Sequence, residues 1–522
     1  MEKSAEFNTN NRTSNSIKTS FWGGLKSVLD IILGFIYRTI FISALSSDHL
    51  GLNGLFTNIL QVLSLAELGI TTAIVFRFYK PISQQNYTQV GKLMNYLKKV
   101  YKYIALFILG AGLIIAPFIK LFIKDTSTIP TDVNIYCIYF LFLLNTVSSY
   151  LFVYKQTIIS ADQRGYLSAI FGIITTFLKY SIQATILILL HDYSLTLFFG
   201  VITTVFFNIV FSLWTEKRYK AVFSVKEDLD KAEKTMIIKD TKAVLFHKVG
   251  ATVKLSTDSI ILSKFVSLGS AGIYSNYSMI ISGIQTFIGQ LLGNFVSSVG
   301  NAHIKLPKQE HFTIYKKLLF VDLWISTVTI VCSYLIMNDF IFIWIGPKYL
   351  FDKFTLIWLC LQFFIIISRQ INISYTNGCG LFTKDRFRPI IEAILNLLLS
   401  IIGVYFGGIV GVFIGTVISS ILTVVWREPL ILYREEFKQP VSDYWKTYFS
   451  FVLISVILCA TGDLIKGMIM QINSVILLIT EAAISFISVN LILFLVYHNR
   501  DEYSYMKQLI IRTIKKKILR TK

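Results

Sequence analysis

Arg38-Thr-Ile-Phe-Ile-Ser-Ala-Leu45, continuing at Leu50-Gly-Leu-Asn53, has a counterpart far downstream. That counterpart is Asp258-Ser-Ile-Ile-Leu-Ser-Lys-Phe265, continuing at Ala271-Gly-Ile-Tyr274. Ile40 matches Ile260, Ser43 matches Ser263, and one extra residue in the second copy brings Gly51 onto Gly272. Pro117-Phe118-Ile119 echoes Asp339-Phe340-Ile341, each around the end of the third helix of its copy. Chance similarity between apolar helices is the bland explanation. Shared helix order, loop position and spacing favour a duplicated unit. Six helices separate the copies, and an even number gives them the same orientation, as in parallel-repeat transporters.

The composition places both copies in a membrane. Of 522 residues, 54% are hydrophobic and 15% charged, with a mean hydropathy of +0.62, whereas soluble domains carry about 25% charged residues. Apolar runs long enough to cross about 30 Å of hydrocarbon recur from Phe21 to Val496. A soluble enzyme, a disordered chain and an outer-membrane barrel are excluded. The polar segment before the first run, and that run's length, mark the first helix as retained rather than a signal peptide.

The pattern predicts an all-α polytopic protein with about fourteen transmembrane helices: 19–45, 52–77, 103–123, 133–157, 165–190, 195–215, 241–266, 271–300, 316–337, 354–376, 388–406, 409–427, 447–463 and 474–497. The organisation is a polar tail at 1–18, a first lobe at 19–218 and a linker at 219–240. A second lobe at 241–440, two further helices within 441–499 and a basic tail at 500–522 follow. With the N-terminus in the cytoplasm, only Lys120, Lys124, Lys348, Lys353 and Lys466 of the 50 Lys and Arg residues lie on outer loops. Six lie within helices and 39 on the cytoplasmic side. That asymmetry predicts N-in and C-in termini and makes most of the +20 net charge topological. The tail Lys515-Lys516-Lys517 suits anionic lipid; nucleic acid is not an expected partner.

Ionisable groups near the bilayer centre cost about 2.5–3.5 kcal/mol and usually face a cavity or a partner. The candidate anion-binding residues are Arg38, Lys179, Lys254, Lys26 and Lys248, with Lys264 nearer a helix end. Lys26, Lys248 and Lys264 read equally as snorkelling side chains. Asp30, Glu67 and Asp258 are candidates for ion coupling or charge balance, and Lys26–Asp30 and Lys254–Asp258 have pairing i, i+4 spacing. The excess of cations suits an anionic substrate such as a phosphate or diphosphate. Tyr274, Asn276, Tyr277, Gln285, Gln290 and Asn294 on the eighth helix suit sugar hydroxyls or interhelical hydrogen bonds. The five cysteines are scattered without CxxC spacing, so neither disulfides nor a metal site is expected. No Walker P-loop, HExxH or GxSxG motif occurs, and no catalytic constellation is expected.

Leu50-Gly-Leu-Asn-Gly-Leu-Phe-Thr-Asn-Ile-Leu-Gln-Val-Leu-Ser-Leu-Ala-Glu-Leu-Gly-Ile70, with Phe78-Tyr79-Lys80-Pro81, resembles the bacterial polysaccharide flippases. These O-antigen and capsule repeat-unit transporters form a branch of the multidrug/oligosaccharidyl-lipid/polysaccharide exporter superfamily. Thr257-Asp258-Ser259 with Gly272-Ile273-Tyr274-Ser275-Asn276-Tyr277 is similar to the matching part of their second half. The resemblance implies movement of an undecaprenyl-diphosphate-linked oligosaccharide from the inner to the outer leaflet of the bacterial cytoplasmic membrane. It further implies alternating access, coupling to a Na+ or H+ gradient, no bound cofactor, and a monomer. A polysaccharide polymerase and glycosyltransferases are the implied partners. The alternatives are a peptidoglycan lipid-precursor flippase, a drug/cation antiporter of the same superfamily and, from another class, a membrane polymerase or ligase. A cationic drug calls for a cavity of opposite sign, and the short outer loops speak against a polymerase.

Overall fold

The computed structural model describes residues 12–67, 70–238, 241, 256–293, 295–385, 387–468, 474–508 and 511. Among them the chain is helical throughout, with no strand, and divides into two compact units, Met1–Ser275 and Asn276–Lys522. The boundary lies within a helix, Leu268–Gly293, rather than in the polar linker.

In the first unit the helices are α1 (Arg12–Ala44), α2 (Ser47–Leu63), α3 (Ile70–Ser83), α4 (Tyr87–Ile115), α5 (Ile135–Val153), α6 (Gln156–Ala161), α7 (Gly165–Leu190), α8 (Tyr193–Arg218) and the turn α9 (Lys220–Phe223). Polar loop residues set the starts. Asn134 accepts the Tyr136 and Cys137 N–H groups, and Asp192 accepts that of Leu195, satisfying donors with no partner inside the helix. The most extensive packing joins α1 to α7, followed by α7 to α8 and α5 to α8.

From the start of α10 (Leu268–Gly293) the chain continues as α11 (Phe295–Lys305), α12 (Lys308–Ile345), α13 (Lys353–Ile367), α14 (Gln370–Gly378), α15 (Arg388–Ser420), α16 (Trp426–Ile431), α17 (Ser442–Met468) and α18 (Val475–Tyr497). α15 is a helical hairpin. Gly408 at φ 54° turns it back, Ser400 donates to the Val412 carbonyl at 3.1 Å, and Asn396 donates to Thr416 at 2.8 Å. The last two helices dock on α12, where Trp324 donates to Asn490 and Ser455 to Thr327.

Ten helical stretches among the described residues are long and apolar enough to span a bilayer. One, Arg388–Phe437, contains the Gly408 reversal and supplies two of the expected passes. Several expected helices are corrected in detail. The 52–77 helix is interrupted by a 3-10 turn at Ser64–Glu67, and 354–376 breaks between Ile367 and Gln370. The 133–157 helix breaks after Val153; of 271–300, residues 271–293 and 295–300 are described and helical. The 103–123 helix begins earlier, at Tyr87, and ends in a 3-10 turn, Ala116–Phe122. Of 241–266, only 241 and 256–266 are described.

The linker lies along α4 instead of running free. Asn95 donates to the Val225 and Glu227 carbonyls, Gln89 donates to Glu233, Lys92 pairs with Glu227 at 2.8 Å, and Lys99 pairs with Asp228. These α4 residues recur three or four apart and so share one face.

Candidate functional site

The site grows from the α1–α7 contact. On α7, Gly172, Lys179, Tyr180 and Gln183 share a face, and on α1 so do Lys26, Asp30 and Tyr37. Gly172 makes room for Lys26, whose Cε would lie 2.4 Å from a Cβ there. Lys26 pairs with Asp30. Tyr37 stacks on Tyr180 at 4.8 Å and 14°. Gly200 on α8 leaves space for Gln183, which donates to the Thr196 carbonyl.

Beyond this contact opens a cavity of about 660 Å³ within the first unit, a volume typical of small-ligand sites. Asn53, Thr57, Gln61 and Ser64 line one side, and Asn145, Thr146 and Ser149 another. Lys179 is the charged residue of the lining. It sits mid-helix, about 16 Å along the axis from the nearer end of α7. Its ammonium makes no ion pair or hydrogen bond among the described residues. The buried Asn145 Oδ1 is likewise unpartnered there. The cavity thus offers a cation uncompensated among the described residues, amide donors and acceptors, and hydroxyls, a set suited to an anionic group carrying hydroxyls.

The predicted residues divide. Lys179 lines the cavity. Arg38 lies one residue from Tyr37 and donates from Nη2 to Ser275 at 2.8 Å, with Nε buried and unpartnered among the described residues. Lys26 and Asp30 pair with each other, each about a third exposed. Asp258 is buried at 1% exposure, and Lys264 sits in a π-helical turn, Leu262–Val266. Lys248, Lys254 and the Glu67 side chain lie outside the described residues. On the eighth predicted helix, Tyr277 is structural: it donates to Asn338 at 2.6 Å and accepts the Phe351 N–H at 2.8 Å. The polar lining of α2 was missed, although Asn53, Thr57 and Gln61 stand at i, i+4 and i+8 along one face of the helix.

Sequence reading also missed a pair of ion bridges, each with a buried member, at similar places in the two halves. Lys155, after α5, donates to Ser212 and pairs with Glu216 of α8 at 2.5 Å. Arg369, after α13, pairs with Glu428 of α16 through Nε at 2.9 Å and Nη2 at 2.5 Å. Arg388 joins the second bridge at 3.1 Å and binds Glu392 and Asp385, while Arg427 also binds Asp385. Each bridge ties the break after one helix to a glutamate of a later one.

No family profile matches the chain, and no curated protein sequence matches it. Solved structures do. The lipid II flippase MurJ in an inward-closed conformation superposes with a TM-score of 0.64 at 14% identity, covering 90% of this chain and 98% of that one. The MATE multidrug transporter DinF-BH gives 0.58 at 14% identity over 84% and 100%. An inward-facing multidrug-resistance MATE family transporter gives 0.57 at 13% over 83% and 96%. The chain therefore has the polytopic all-α fold seen in flippases and transporters of the multidrug/oligosaccharidyl-lipid/polysaccharide exporter superfamily.

Proposed function

We propose that this chain is a non-enzymatic flippase that moves an undecaprenyl-diphosphate-linked oligosaccharide repeat unit from the inner to the outer leaflet of a bacterial cytoplasmic membrane, for surface polysaccharide synthesis. The observation that carries the reading is Lys179, midway along a helix long and apolar enough to span a bilayer, in a polar cavity and without a counter-charge among the described residues. Holding such a cation costs about 2.5–3.5 kcal/mol on insertion scales. A diphosphate entering the cavity supplies the missing charge, and the surrounding amides and hydroxyls suit sugar. Arg38 and Lys254 are the companion cations in this reading. The termini face the cytoplasm, the chain works as a monomer, and a Na+ or H+ gradient drives it.

A cationic drug is disfavoured by the sign of the cavity. A peptidoglycan lipid precursor is the second reading, favoured by the similarity to MurJ; it carries the same diphosphate. The test is complementation of a deletion strain by wild type and by Lys179→Ala at equal membrane levels. The variant should leave lipid-linked oligosaccharide in the inner leaflet and the surface without polysaccharide. Normal surface polysaccharide would overturn the assignment. Accumulation of the peptidoglycan precursor in its place would select the second reading.

A further inference from the structure

The fold gathers four metal-ligating side chains that are far apart in sequence. His303 comes from α11, His311 from the first turn of α12, Cys379 from the residue after α14, and Glu436 from a π-helical turn, Leu432–Phe437. One donor atom from each lies within 4.8 Å of the other three. The two imidazoles turn Nδ1 to the same carboxylate oxygen, Glu436 Oε1, at 2.7 Å from His303 and 3.2 Å from His311.

The surroundings are built to hold this arrangement. Close helix packing at Gly300 and Gly378 brings His303 alongside Cys379: a Cβ on Gly378 would lie 2.9 Å from Val299 and 3.0 Å from the Val296 carbonyl. His311 stacks on Tyr375 at 5.2 Å and meets the edge of Phe437 at 5.6 Å. Its Nε2 is buried and unpartnered among the described residues. Glu436 is 5% exposed, and its ion-pair partners among the described residues are the two histidines, with no Lys or Arg. A buried carboxylate calls for a cation. His303, 39% exposed, leaves a way in. The π turn that carries Glu436 is a rare geometry, frequent at functional sites.

We propose that His303, His311, Cys379 and Glu436 bind a zinc ion. Two imidazoles, one thiolate and one carboxylate form a four-donor set of the kind that selects Zn2+. Ideal tetrahedral coordination needs donors about 3.3–3.8 Å apart, so the ion requires side-chain shifts of about an ångström. Binding would release the Cys379 proton and staple α11, α12, α14 and the end of the π turn together at one end of the second unit. This role is separate from the cavity in the first unit and stands whatever that cavity carries.

The test uses the full chain in detergent, purified without metal-affinity resin or chelator. Elemental analysis should find one zinc per chain. After stripping, titration with Co2+ should give the visible bands of a tetrahedral site and a thiolate-to-cobalt charge-transfer band. Cys379→Ser should lose the charge-transfer band. His303→Ala, at the exposed edge where folding is least at risk, should weaken Zn2+ binding by more than the roughly 10–100-fold that losing an outer hydrogen-bond partner costs. A wild-type chain with no stoichiometric zinc and no charge-transfer band would overturn the proposal, leaving a hydrogen-bonded His–Glu–His cluster. Unchanged zinc content and affinity in both variants would overturn it equally.

Discussion

Gly51 and Gly272 are each the fifth residue of their helix, and each presses on the backbone that starts the other's. A Cβ on Gly51 would lie 2.1 Å from the Leu268 carbonyl oxygen, and one on Gly272 would lie 2.3 Å from that of Ser47. The two positions correspond in the sequence repeat, so the contact is reciprocal between the two copies. Backbone atoms cannot swing aside as a side chain does. Gly51→Ala and Gly272→Ala should each destabilise the protein by about 1–3 kcal/mol. Gly283→Ala, with nothing within 4 Å, should be near neutral. Thermal unfolding in detergent checks all three.

The Arg369–Glu428 bridge is the more buried of the two bridges, with side-chain exposures of 17% and 5%. Removing Glu428 strands the Arg369 charge in a low-dielectric interior, whereas removing Arg369 leaves Glu428 paired with Arg388 at 3.1 Å. Glu428→Met should cost about 3–5 kcal/mol, and the double replacement of Arg369 and Glu428 by Met should recover much of that loss. Lys155→Met should cost less, because Glu216 is 44% exposed and water can solvate it. Denaturant or thermal midpoints of the four proteins give the comparison.

Much of the fold was legible because hydrophobic length is a local property. The separate readings of 388–406 and 409–427 correctly placed a reversal at Gly408. The helix breaks were not legible, because distant residues hold them. Between α13 and α14 the freed Ile371 N–H is accepted at 3.0 Å by Asp322, buried in α12 and 49 residues away. Nothing near Ile371 announces that partner. Lys179 could be singled out as a lone central charge, and the Asn53–Thr57–Gln61 stripe carried a helical period that was there to be read. The gathering of His303, His311, Cys379 and Glu436 had no such period, since four segments supply one ligand each.

The linker's hold on α4 should depend on acid. The hydrogen bond from Lys99 holds the Asp228 carboxyl below its usual value. A depressed carboxylate contributes above its unfolded pKa, and the contribution is lost as pH falls through the folded one. Between neutral pH and mildly acidic pH the docking should therefore persist, and it should loosen only below the ordinary aspartate range. Asp228→Asn should loosen it at neutral pH. Limited tryptic proteolysis at Lys226 and Lys231 reads the difference as faster cleavage in the variant at pH 7, and hydrogen exchange of the linker reads convergence with wild type in strong acid.

Lys179 allows stability and function to be separated. If its ammonium serves a ligand, the empty protein bears the cost of holding it, about 2.5–3.5 kcal/mol on insertion scales. Lys179→Met keeps the length of the side chain and removes the charge. The variant should be at least as stable as wild type in thermal unfolding while losing binding of a lipid-linked diphosphate. Lys179→Arg should retain binding, since a guanidinium also donates to phosphate oxygens. A structural lysine behaves the opposite way: Met would lower the melting temperature and leave diphosphate binding intact. Measuring both quantities on the same preparations distinguishes the two, because only a ligand-directed charge predicts that stability and binding move in opposite directions.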